Sequence, residues 1–144
     1  MVAPRALVER FLQSVTAPDP GDLADCFADR VVIEMPFAPP GLVPPRLEAT
    51  REELRARYAA GASVRRYTEV TDASIHETAD PSTVIVEFSV RGTMLATEEE
   101  FALRFVMVMT IRDGRITHTR DYADPIAGAR ALGRLPELVT SLSG

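Results

Sequence analysis

Asp113-Gly114-Arg115-Ile116-Thr117-His118-Thr119-Arg120-Asp121-Tyr122-Ala123-Asp124-Pro125 begins as a tight turn and continues as a strand. Asp-Gly accepts the left-handed backbone of a two-residue hairpin loop, and the β-branched and aromatic residues after it suit a pleated surface. Because strand side chains alternate faces, Ile116, His118, Arg120 and Tyr122 share one side, and Thr117, Thr119, Asp121 and Ala123 the other. Three small side chains around one acid leave room for a ligand beside Asp121.

Working outward, Thr68 to Thr78, Thr83 to Thr93 and Glu100 to Arg112 are further strands, joined by turns at Asp80-Pro81-Ser82 and Asp113-Gly114. The longest strand puts Phe101, Leu103, Phe105, Met107, Met109 and Ile111 on one face, and Ala102, Arg104, Val106, Val108 and Thr110 on the other. Both faces are largely apolar. The large-residue face is expected to pack on a second copy of the chain, an outer-face homodimer, while the Arg104 and Val106 face lines a cavity. Ahead of these strands, Leu7, Val8, Phe11, Leu12 and Val15 recur at helical spacing from Pro4 to about Thr16. Asp19-Pro20 starts a short second helix ending near Asp29, and Val31 to Phe37 is a strand. The proline-rich 38–45 stretch is a loop, and Thr50-Arg51-Glu52-Glu53 is a capping box opening a third helix through Leu54 and Tyr58. Ile126 to Leu132 suits a short closing helix capped by Asp124-Pro125. Helices followed by an antiparallel meander predict an α+β domain spanning 1–144, a strongly curved, mostly antiparallel sheet wrapped around three N-terminal helices.

The 144 residues, 46% of them apolar, suffice for one core. A net charge of -5 argues against nucleic-acid binding; Arg65-Arg66 marks a solvated strand start rather than a basic stripe. With a single cysteine, Cys26, no internal disulfide can form, and a buried thiol in a cytoplasmic protein is expected. No stretch is apolar for long enough to span a bilayer. Neither a phosphate cradle nor metal-ligand spacing is present, so neither cofactor nor metal is expected.

This pattern resembles the nuclear transport factor 2-like superfamily, a cone-shaped α+β barrel enclosing one pocket. Gly114 to Asp124 is similar to the final strand of limonene epoxide hydrolases, whose catalytic aspartate stands where Asp121 stands. Glu34-Met35-Pro36-Phe37-Ala38-Pro39-Pro40 is similar to their first strand and loop, where an asparagine at the Glu34 position helps hold water. Those hydrolases carry an arginine and a second aspartate where this chain has Phe88 and Val90, so their epoxide-opening mechanism is not expected. Against ketosteroid isomerases, the oxyanion tyrosine corresponds to Phe11, the base to about Met35 and the protonated acid to Val106. All three are gone. The chain looks more like SnoaL-like polyketide cyclases, which work with one or two carboxylates in an apolar pocket.

The resemblance implies a cofactor-independent cyclase or isomerase acting on a hydrophobic, polyketide-like molecule, by substrate folding, carboxylate acid/base catalysis or a pericyclic closure. A modified epoxide hydrolase and a non-catalytic binder are the alternatives. Asp121 is the candidate acid or base, with Thr119 beside it; the rival readings are an ion pair with Arg120 or Arg104, or a cap. If Glu34 faces the cavity it forms a two-carboxylate pair with Asp121; the other register points Met35 inward instead. Arg104 could stabilise an enolate, and Tyr58 could donate a hydroxyl from helix three. Phe11, Met35, Phe88, Val90 and Val106 would complete the pocket wall.

Overall fold

A computed structural model gives the structure, describing residues 2–144. Pro4 sits at the first turn of α1 (Pro4–Val15), where its missing N–H costs nothing, and the stripe Leu7, Val8 and Phe11 is buried. Each of these three side chains contributes roughly 1.5–3 kcal/mol relative to exposure. α2 (Gly21–Ala24) is a single turn, shorter than the sequence suggested, because the chain enters β1 (Phe27–Glu34) four residues before Val31. Beyond the proline-rich loop, β2 (Arg46–Thr50) is a short edge strand that the sequence reading missed. Thr50 then caps α3 (Arg51–Ala62): its Oγ1 accepts from the Glu53 N–H while the Glu53 carboxylate accepts from the Thr50 N–H.

β3 (Arg65–Glu77), β4 (Thr83–Met94), β5 (Glu100–Arg112) and β6 (Arg115–Ala123) form the meander. The six-stranded sheet has the order β2-β1-β6-β5-β4-β3, antiparallel except for the parallel β1–β6 pair. Its edges β2 and β3 do not meet, so the expected barrel is an open sheet, with the N-terminal helices on one face. Asp124 accepts from the N–H groups of Ile126 and Ala127 and so caps α4 (Pro125–Ala131), as the Asp-Pro pair indicated. The C-terminal tail folds as α5 (Leu135–Ser143), which is held to the 38–45 loop by Ser141 donating to the Pro40 carbonyl and Arg134 to that of Leu42. No helix among the described residues is long and apolar enough to cross a membrane.

The expected facing of β5 is reversed. Phe105, Met107 and Met109 point to the helix side, where Met109 is fully buried, whereas Arg104 and Val106 are exposed on the outer face. The cause is a bulge in the β5–β6 hairpin. Arg112 pairs with Arg115 and Ile111 with Ile116, but Thr110 pairs with His118, leaving Thr117 as an extra residue. That one-residue slip sets Met109 opposite Thr119 and Met107 opposite Asp121 on a common face.

Candidate active site

Between the helices and the concave face of the sheet lies a cavity of about 730 Å³, in the size range of small-molecule sites. Aromatic rings make its wall. Phe11 meets Phe27 and Phe88 edge-on at 6.3 and 6.2 Å, and Phe88 stacks on Phe105 at 5.3 Å. Tyr58 reaches the cavity from α3, at 6.4 Å from Phe27. The capping box fixes the start of that helix, and two arginines fix its side: Arg51 donates to the Phe27 carbonyl at 2.9 Å, and Arg55 pairs with Asp25 at 2.9 Å. The Arg55 guanidinium in turn holds the Asp25 carboxyl below its ordinary range.

Asp121 and Thr119 come from β6 into the deep part of this apolar surround, flanked by Met107 and Met109 of β5. Burial pushes the Asp121 carboxyl up to about 6, because desolvation penalises its charged form; the nearby Thr119 hydroxyl and His118 offset only part of this. Among the described residues neither Asp121 Oδ1 nor Thr119 Oγ1, both buried, has a hydrogen-bond partner, and no bond closes between the two. Such groups cost about 1–3 kcal/mol each when unsatisfied, and polar atoms left in this condition inside a cavity are available to a ligand. The rival roles for Asp121 fall away. Among the described residues it forms no ion pair with Arg120 or Arg104, and the helix cap is Asp124. Tyr58, half-buried against the core, has its pKa raised by desolvation and then by the Asp121 charge, so its hydroxyl stays protonated.

Other sequence candidates divide clearly. Phe11, Phe88 and Val90 line the cavity together with Tyr58 and Thr119. Glu34 does not; Ile33 takes the inward position on β1, and the Glu34 carboxylate lies 3.7 Å from His118 Nε2. The two-carboxylate arrangement is therefore not formed. Arg104 and Val106 are on the outer face, for the bulge described above. Met35 lines a separate small cavity of about 140 Å³ under α4 and the 38–45 loop, which touches Asp121 from its other side. Cys26 is fully buried and its thiol pushed up by desolvation, a core residue as expected.

Several lining residues had no signal in the sequence. Tyr67 is held by an edge-on contact with Phe101 at 6.0 Å, and Arg57, Arg65 and Arg66 border the cavity where α3 gives way to β3. Arg65-Arg66 thus borders a cavity as well as starting a strand.

The family profile described as "SnoaL-like domain" matches residues 8–119. An uncharacterized PhzA/B-like protein of Pseudomonas aeruginosa is 32% identical over 76% of this chain and 75% of its own. Among solved structures, a proposed isomerase from Bacillus subtilis superposes with a TM-score of 0.78 at 26% identity, over 89% of this chain and 91% of that one. A proposed polyketide cyclase from Pseudomonas putida superposes at 0.75 with 16% identity, over 91% and 98% respectively, a likeness of fold alone.

Proposed function

The chain belongs to the SnoaL-like domain family, and from that premise we propose that it is a cofactor-independent cyclase or isomerase whose cavity folds a hydrophobic, polyketide-like substrate against Asp121. The observation that carries this reading is the Asp121 carboxyl itself: cavity-lining, unpartnered at Oδ1, and poised to ionise at about 6. The isomerase and polyketide cyclase descriptions of the structural relatives agree with it.

In the ionised form Asp121 takes a proton from a carbon next to a substrate carbonyl. Tyr58, which cannot release its own proton at neutral pH, donates a hydrogen bond to the enolate oxygen that develops. Asp121 then returns the proton to a different atom in an isomerisation, or to the alkoxide or new enolate carbon formed once the first enolate carbon has closed a ring. The aromatic wall supplies alignment, which for intramolecular closure removes much of the entropic barrier. With Phe88 and Val90 on the wall, no second acid or arginine among the described residues stands beside Asp121 to hold a hydrolytic water against an epoxide.

Deuterium wash-in tests the proton transfer without knowledge of the natural substrate. With 1-tetralone in D2O followed by NMR, the wild type accelerates exchange beside the carbonyl, and Asp121→Asn lowers that rate by at least about a hundredfold. A wild-type rate no faster than buffer, or an undiminished rate in the variant, overturns the assignment.

A further inference from the structure

The cavity is electrically lopsided. Its lining includes one carboxyl, on β6, that burial keeps from ionising easily, and three arginines, Arg57, Arg65 and Arg66, where α3 gives way to β3. None of the three forms an ion pair among the described residues, in a chain whose net charge is -5. Arg57 and Arg66 are exposed and Arg65 is half-buried, lying along the α3 C-terminus against Gly61. The register of the sheet sets the order along the cavity: Asp121 pairs with Met107, which pairs with Val86 near the start of β4, whereas Arg65 and Arg66 on the edge strand β3 pair with Met94 and Thr93 at the far end of β4. Arginines and acid therefore stand apart along the cavity lining, with the exposed Arg57 and Arg66 at its positive end.

We propose that this positive end binds an oxyanion carried by the substrate, so that the natural ligand is a hydrophobic molecule with a carboxylate or phosphate at the end remote from the reacting carbon. This deepens the cyclase or isomerase reading and rests on it for the reacting carbon alone. Guanidiniums present forked donors that match both anions, and a cleft with apolar walls focuses their field. The C-terminal ends of α1 and α3 face the same part of the cavity, and their carbonyls repel anions. The arginines reverse that sign. An anchored anion also fixes which way round an elongated substrate enters, and so which carbon arrives at Asp121 and Tyr58.

Calorimetric titration with decanoate, decyl phosphate and decanol tests this. The two anions bind the wild type at least about tenfold more tightly than the alcohol, and the gap narrows as salt rises. Whichever anion binds more tightly identifies the group as carboxylate or phosphate. In Arg57→Gln/Arg65→Gln/Arg66→Gln the gap closes to less than about threefold with decanol affinity retained; the single variant Arg66→Gln, at an exposed position, gives a partial loss should the triple variant not fold. Asp121→Asn keeps the full gap. Equal binding of anions and alcohol by the wild type, or a preference surviving the triple substitution, overturns the proposal, while the deuterium wash-in result for Asp121 would be untouched. Loss of wash-in with the preference intact would instead overturn proton transfer and leave the anion site standing.

Discussion

Asp121 keeps its proton because the charged form gives up hydration that no neighbouring donor replaces, and the consequence for stability has a definite sign. The unfolded chain releases this proton near 3.8, the folded chain only at about 6. Between those values the folded state holds the extra proton, so stability falls as pH rises through the window and is about 3 kcal/mol lower above it. Asp121→Asn removes the penalty. Urea unfolding across pH 4–8 is expected to give a variant more stable than wild type at pH 7–8, the two converging near pH 4; parallel curves would contradict this. Tyr58→Phe deletes only the proposed enolate donor, and is expected to slow 1-tetralone exchange by about ten- to hundredfold while leaving its rise with pH in place. The cavity facing of Asp121 and Thr119 was legible from alternation on β6, and that of Phe11, Phe88 and Val90 from the likeness to isomerases and hydrolases; the same alternation set Ile116 on the face opposite Thr119, whereas the bulge at Thr117 buries both on one side. Glu34 was not, since a charge within Val32-Ile33-Glu34-Met35 reads alike whether it enters a cavity or, as here, meets His118 across a parallel pair.

At the scale of elements, one bulge decides what the longest strand does. Counted back from Asp113-Gly114 without interruption, Met107 and Met109 fall opposite Arg120 and His118; the extra residue Thr117 moves them opposite Asp121 and Thr119. Both faces of β5 are apolar, so composition carries no mark of that slip, and the expectation that the large-residue face meets a second copy left Arg104 and Val106 inward. The turn itself was legible: Asp113 and Gly114 both have positive φ, 53° and 73°, the conformation that makes Asp-Gly a hairpin pair. α1 and the α3 capping box were equally plain, whereas β2, beside the prolines, and α5, which needs its packing partners, were not. Gly92 offers a test of element packing. A Cβ there would stand 2.5 Å from the Phe101 ring and 2.6 Å from the Arg66 carbonyl, so the close approach that seats Phe101 against Tyr67 requires glycine. Gly92→Ala is expected to destabilise by about 1–3 kcal/mol in urea unfolding, and to weaken decanol binding by displacing Tyr67. A neutral effect would mean the strands part without cost.

For the whole molecule, the open sheet turns its large side chains onto the helices and cavity, leaving a mixed outer face on which Val106 is 36% exposed. The ground for expecting a second copy there has thus moved from Phe105 and Met107 to Val106 and Val108. Pairing through that face remains our proposal: light scattering is expected to return twice the 15.8 kDa chain mass, and Val106→Glu/Val108→Glu to return the single mass with unchanged tetralone exchange. The helices and sheet together bury the carboxyl of one acid, and the proposed proton transfer depends on that burial. The direct measurement is the carboxyl-carbon NMR titration of Asp121, assigned by comparison with Asp121→Asn. The structure predicts a midpoint near pH 6; a midpoint at or below about 4, the ordinary range for an aspartate, would contradict a desolvated acid and with it the proposed proton transfer.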